Sequence, residues 1–276
     1  MIIDCELRVL HPEARSASYA SVAEPIVTKK IYKHSGFPSV RNQLSAPSQI
    51  RAMVDNQVSL ALISGLGWRT SRIRLQNNDY VARSVSRYRR YFRGFFVIDS
   101  TNINRSLREV DSLDESVFIG VEIMNNYSGG HIDDRQIQPI LDLIRERNLI
   151  LKVFSAHPIQ TLDGDSPYRL LTMIKRNPGL NIMVGHLGGL LCLYGLLPEI
   201  HRAMERVYFI TSVSSTMKMV EFAAQVNPDN LIFGSDSPFN HCYSQDLPLK
   251  ALKGLKLDRK TKKKILGATA LSLIRM

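Results

Sequence analysis

The chain has 276 residues, with 36 Lys and Arg against 25 Asp and Glu for a formal charge of +11. That length suits one large α/β domain able to bury a core without staples, and Cys5, Cys192 and Cys242 form no C-x-x-C pair, which argues against a disulfide framework or a zinc ribbon. No basic stretch precedes an apolar one at the start, and the apolar run 184–197 is broken by glycines and His186, so neither a secretory leader nor a membrane span is expected and the chain reads as a cytoplasmic protein.

β-rich runs open the chain at 1–6 and recur at Val58–Ser64, Gly94–Asp99, Val117–Ile123, Leu149–Phe154, Asn181–Gly185, Val207–Thr211 and Leu231–Gly234. Their almost unbroken apolar character is that of parallel strands buried on both faces. Amphipathic segments lie between them. Asn78-Asp79 predicts an N-cap for a helix over Tyr80–Tyr91, with Arg83, Arg87 and Arg90 on its polar face. Ile137–Asn148 carries Ile140, Leu141 and Ile144 at helical spacing, with Asn148 as a left-handed cap. Ser166-Pro167 opens a helix that Asn177-Pro178-Gly179 stops, and Arg259–Leu266 and Ala268–Ile274 close the chain. Eight strands alternating with helices predict a (β/α)8 TIM barrel, or failing that a doubly wound sheet, as one domain over 1–276. The long interval Leu7–Gln57 is expected to fold over the barrel mouth.

Two segments hold the excess positive charge. Residues 66–93 contain eight Arg and one Asp, and residues 246–276 contain nine Lys or Arg and two Asp, leaving the remainder close to neutral. A basic patch can meet nucleic acid or an anionic surface, but no zinc finger, helix-turn-helix or RNA-binding motif accompanies these segments. They are read as solvated helix faces, with no nucleic-acid or membrane partner.

In a barrel, chemistry sits at the C-terminal ends of the strands. Those ends read Asp4, Glu6 and Arg8, then Glu122, Lys152 with Phe154, His186, and Asp236. Alternation puts Glu6 and Arg8 on one face, and Lys152 and Phe154 on one face. Alone, Asp236 could cap a turn and His186 could be a hydrogen-bonded core histidine. Five or six ionisable groups converging on one mouth are expensive to desolvate, which points to a functional pocket.

Several segments carry a family resemblance: Ile-Ile-Asp at the start, Asn78–Val81, Asn125–Asp134, Asn177–Gly189, Leu231–Phe239, and Lys264–Ala270. Over nearly its whole length the chain resembles the amidohydrolase-related family two. The resemblance implies a TIM barrel that hydrolyses carbon–nitrogen or carbon–oxygen bonds, or belongs to a branch of non-oxidative decarboxylases. It also implies one divalent metal, held by a His-x-His on strand one, a His on strand five and an Asp on strand eight, with a strand-six His on substrate or metal.

His186 and Asp236 match that pattern. The His-x-His positions are Glu6 and Arg8, and the strand-five His position is Phe154. Glu6 has a counterpart in the decarboxylase branch, whereas a guanidinium stays protonated and repels a cation. Asp236, His186 and Glu6 are the expected catalytic residues, with Asp236 as general base and His186 as acid or substrate contact. Arg8, Lys152, Glu122 and His157 are the expected substrate contacts. The expectation is a hydrolase of an amide, lactone or ester bond in a small acidic compound, with no tightly bound cofactor because Arg8 and Lys152 supply the missing positive charge. The alternatives are a decarboxylase of a small carboxylic acid, a single zinc or manganese ion on Glu6, His157, His186 and Asp236, and an inactive barrel serving as a binding scaffold. A homo-oligomer is compatible with each.

Overall fold

A computed structural model of the chain describes residues 1–15, 41–125, 129–155, 166–212, 218–239 and 245–274. Eight strands are ordered β1 to β8 in one sheet: Ile3–Arg8, Leu60–Ser64, Phe92–Ile98, Phe118–Ile123, Ile150–Val153, Ile182–Val184, Val207–Ile210 and Leu231–Ile232. Each pairs in parallel with the next. Closure comes from the β8 exit returning to β1, where Cys5 N donates to Phe233 O at 2.8 Å and Arg8 N donates to Ser237 O at 3.0 Å. The expected (β/α)8 barrel is therefore the observed fold.

The helices alternate with the strands. They are α1 (Ala46–Asp55), α2 (Ser71–Arg87), α3 (Ile103–Asp111), α4 (Gln138–Glu146), α5 (Pro167–Arg176), α6 (Pro198–Ala203), α7 (Lys218–Val226), α8 (Asp246–Gly254), α9 (Arg259–Lys263) and α10 (Thr269–Ile274). Val121, Ile123, Leu151, Val153 and Val184 pack outward against helix residues such as Ile140, Ile144 and Leu170. Inside the barrel, Cys5, Leu62, Phe95, Ile150, Met183, Ile210 and Ile232 form a second layer, and Ala270 and Leu273 of α10 pack against it. Burial on both faces explains the unbroken apolar runs.

Helix ends follow side-chain chemistry. Ser45 and Ser166 cap α1 and α5 by accepting from Ser48 N and Arg169 N, with proline in the first turn of each. Asn148, just past α4, takes φ 51°, the left-handed conformation expected of it. The predicted start of α2 is corrected. The helix begins at Ser71, because Asn77 and Asn78 are not caps but buried braces. Asn77 bridges His11 N and Val9 O, and Asn78 bridges the N–H and carbonyl of Val97. Arg74 is likewise buried, against both oxygens of Glu109 at 2.8 and 2.9 Å, while Arg83 and Arg87 stay exposed.

At the mouth, Leu10, Ala14 and Leu44 from the interval after β1 join Leu66, Trp68, Ile73, Val97 and Met124, with Phe154 and Phe239 partly buried against them. The ends of that interval thus fold over the mouth as expected; residues 16–40 lie outside the described residues. Among the described residues no helix is long and apolar enough to cross a membrane.

Candidate functional site

Four buried charges meet above the inner apolar layer. Arg8 Nη1 lies 2.9 and 2.8 Å from the two carboxylate oxygens of Glu122 and 2.6 Å from Ser64 Oγ, and Nη2 donates to Glu6 Oε1 at 3.0 Å. Lys152 Nζ stands 3.5 Å from Glu122 Oε1 and 4.0 Å from Glu6 Oε1, with the Phe95 ring beneath it at 5.6 Å. These side chains are 0–1% exposed. Burial lowers the Arg8 guanidinium, but Glu122, Glu6 and Asp236 outweigh it and leave the pKa raised. Burial pushes Glu6 up, yet Lys152, His186 and Arg8 together hold it below the usual carboxylate range. Arg8 and Lys152 are thus committed to the two glutamates.

Beside this cluster, the exits from β6 and β8 carry His186 and Asp236. Both take left-handed backbone conformations, at φ 50° and 51°. A non-glycine residue there costs on the order of 1–3 kcal/mol and persists only where its surroundings over-determine it, a pattern common at functional sites. His186 Nδ1 is 2.8 Å from the Ser155 carbonyl, and His186 N–H donates to Ser212 Oγ at 3.1 Å. With Nδ1–H spent on that carbonyl, Nε2 faces Asp236 Oδ2 at 3.5 Å. Gly234 lets the β8 exit come this close, since a Cβ there would meet Ile210 Cγ2 at 2.2 Å and Glu6 Cβ at 3.0 Å.

Glu6, His186 and Asp236 therefore converge, each offering one atom, with these atoms all within 4.8 Å of one another. Glu6 Oε1 is held by Arg8, while Glu6 Oε2 is buried without a hydrogen bond among the described residues. The Ser212 hydroxyl is near enough to favour the ionised form, but not in bonding geometry to that oxygen. A carboxylate oxygen with a free lone pair, an imidazole nitrogen fixed by a carbonyl and an aspartate make three hard or borderline donors, a set that suits a divalent ion such as manganese or zinc. The donor set fits the single-metal alternative, and the expectation of no tightly bound metal draws no support from it.

Of the remaining expected residues, Phe154 stands edge-on to His186 at 5.0 Å and 5.6 Å from the Arg8 guanidinium carbon. Asp4 does not join Glu6 and Arg8. One extra residue on β1 between Asp4 and Leu7 shifts the register against β2, and Asp4 turns to the β8 exit. His157 lies outside the described residues. Sequence reasoning missed Ser155 and Ser212, because what Ser155 contributes is a backbone carbonyl that any residue would carry.

Without a metal, burial lowers the His186 pKa, but the bond to Asp236 and the charge of Glu6 outweigh it and raise the value to about 9. A folded pKa above the unfolded value near 6.5 stabilises fully below pH ~6.5, and that stability fades as pH rises through about 9, by about 3 kcal/mol in all. Chelator-treated protein should accordingly lose melting temperature between pH 6.5 and 9.5. Saturating manganese should remove that slope, because a coordinated imidazole is already neutral; a flat profile without metal would refute the imidazolium.

No curated protein matches the sequence. Among solved structures, 5-carboxyvanillate decarboxylase from Sphingomonas paucimobilis superposes with a TM-score of 0.80 at 17% identity, covering 100% of this chain and 99% of that one. The 5-carboxyvanillate decarboxylase from Novosphingobium aromaticivorans, complexed with manganese and 4-hydroxy-3-methoxy-5-nitrobenzoic acid, gives 0.79 at 19% identity, with coverages of 100% and 96%. A dihydroxybenzoic acid decarboxylase from Polaromonas, with bound manganese and 2-nitroresorcinol, gives 0.78 at 17%, with coverages of 99% and 96%. At these identities the likeness establishes the fold. The amidohydrolase family model matches residues 30–276, nearly the whole chain, so the protein belongs to the amidohydrolase family.

Proposed function

We propose that the chain is a non-oxidative decarboxylase of a small aromatic acid, with a single divalent metal held by Glu6, His186 and Asp236. The observation that carries this reading is the convergence of those three donors within 4.8 Å, with Glu6 Oε2 making no hydrogen bond among the described residues. The decarboxylases that share the fold over their whole length support it over the hydrolase expected from the sequence, and two of them are described with manganese.

In the reaction the bond from ring carbon to carboxylate breaks, its electron pair stays on the ring carbon, carbon dioxide leaves, and a proton joins that carbon. The metal, when bound, supplies Lewis acidity toward the oxygens of the acid. Asp236 keeps 12% of its side chain exposed and is the proton-transfer group, passing a proton to the carbon and regaining one from water. His186, with Nδ1 on Ser155, holds its ring still as a ligand. Phe154 and Phe239 offer partly buried aromatic walls to a planar substrate. Arg8 and Lys152, engaged by Glu6 and Glu122, position Glu6 rather than grip the acid, while His157 stays a proposed substrate contact. A cytoplasmic location, one domain over 1–276 and a homo-oligomer belong to the same proposal.

Purified protein supplied with manganese should release carbon dioxide from at least one member of a panel of hydroxybenzoates and methoxy-hydroxybenzoates. Near one metal per chain should be measured, and Glu6→Gln should lose it. Hydrolysis of an amide, ester or lactone without carbon dioxide release would overturn the proposal in favour of the hydrolase. Neither activity, with no metal retained, would leave the binding scaffold.

A further inference from the structure

Two of the three converging side chains, Glu6 and Asp236, are 230 residues apart, yet a single buried oxygen touches the backbone of one and the neighbour of the other. Asp4 Oδ1 accepts from Glu6 N–H at 3.1 Å and from Ser235 N–H at 2.9 Å. Asp4 Oδ2 accepts from Ser235 Oγ at 2.6 Å and from Gln245 Nε2 at 2.9 Å, just ahead of α8. Ser235 Oγ in turn accepts from Ser237 N–H at 3.1 Å, and the Ser237 carbonyl accepts from Arg8 N–H at 3.0 Å. Asp4 is wholly buried, Ser235 is 1% exposed and Gln245 2%. Asp236 sits between Ser235 and Ser237, in a left-handed conformation that non-glycine residues adopt only as single positions.

We propose that Asp4 is a positioning residue that sets the separation between Glu6 and Asp236. Its Oδ1 locks the β1 bulge to the residue before Asp236, and its Oδ2 ties Ser235 and Gln245 to the same strand. The left-handed turn at Asp236 is held from both sides, so the donor oxygens of Glu6 and Asp236 meet at one distance. A buried carboxylate that accepts four hydrogen bonds fixes the backbone around it, and the outer partners of ligands tune affinity partly through such geometry. The inference rests on Glu6, His186 and Asp236 being the working site.

The test uses the full chain and cobalt(II) as probe, read by its visible absorption and by titration. Asp4→Ala removes both oxygens, and Asp4→Glu moves them by one methylene. Asp4→Asn keeps Oδ1, and its Nδ2 can donate to Gln245 Oε1, which has no partner among the described residues, once that amide turns. The Asn variant should keep the wild-type spectrum and affinity within about threefold, while the Ala and Glu variants should bind about 10–100-fold more weakly with shifted bands. Where Asp4→Ala fails to fold, Asp4→Glu decides. Folded Ala or Glu variants with the wild-type spectrum and affinity would overturn the proposal. If the wild type binds no cobalt, the metal reading has failed and the crystal structure of Asp4→Glu decides instead. Asp236 leaving its left-handed conformation would support the positioning role, and an unchanged backbone at Ser235–Ser237 would overturn it.

Discussion

Replacing Arg8 by Met should cost the fold about 3–5 kcal/mol and lower the melting temperature by roughly 10 °C. The cost arises because Arg8 is, among the described residues, the only side chain that touches both buried glutamates at hydrogen-bond distance, Glu122 at 2.8 Å and Glu6 at 3.0 Å. Lys152, at 3.5 and 4.0 Å, would be left to compensate two carboxylates with one charge. Desolvating an ion is affordable only while its partner and remaining hydrogen bonds are in place, so removing one member costs far more than the pair contributes. The same reasoning gives a rescue. Adding Glu122→Leu to Arg8→Met removes the orphaned charge and should recover part of the loss, a coupling that a double-mutant cycle in urea measures directly. A loss under about 1 kcal/mol in Arg8→Met would mean that water reaches the cluster and relieves it.

Asp236→Asn should lower turnover of a decarboxylated acid by about 10²–10⁴-fold, the usual loss when a proton-transfer group is removed. The substitution is a fair one. Asparagine tolerates the left-handed conformation that Asp236 occupies, so the backbone should be kept, while metal-free protein should lose part of the stability that the His186–Asp236 contact contributes below about pH 9. Because Asp236 is also a proposed ligand, steady-state and single-turnover measurements are made at saturating manganese with the bound metal of each variant measured alongside. A fall in kcat with KM little changed fits an interaction made in the transition state, and a rise in KM alone would assign Asp236 to ground-state binding. Full activity in Asp236→Asn would remove it from the chemistry.

The site was legible in proportion to how local its signals are. Glu6 with Arg8, Glu122, Lys152, His186 and Asp236 were all visible as ionisable groups at strand ends, where aliphatic residues would otherwise close a barrel. Their use was not visible. Arg8 and Lys152 looked free to grip an acidic substrate, and only the barrel's closure, which brings β1, β4 and β5 across one interior, spends them on Glu6 and Glu122. The reading of Asn78-Asp79 as a cap failed for a related reason. Asparagine beside aspartate is a strong local stop signal, but Asn77 and Asn78 find partners on β1 and β3, which no local pattern encodes.

Order along the chain belongs to the sequence. Eight doubly buried runs, the serine and asparagine signals at α1, α5 and the end of α4, and the glycine-flanked exits at His186 and Asp236 are each written within a few residues, because burial period, capping and turn chemistry act over that range. Distance across the barrel belongs to the tertiary structure. The one-residue bulge that turns Asp4 away from Glu6, the Ser155 carbonyl that aims His186, and the meeting of Glu6, His186 and Asp236 within 4.8 Å depend on strands far apart in the chain. Electrostatic and hydrogen-bond energies fall off with separation in space, not along the backbone, so these contacts exist only once the sheet has closed.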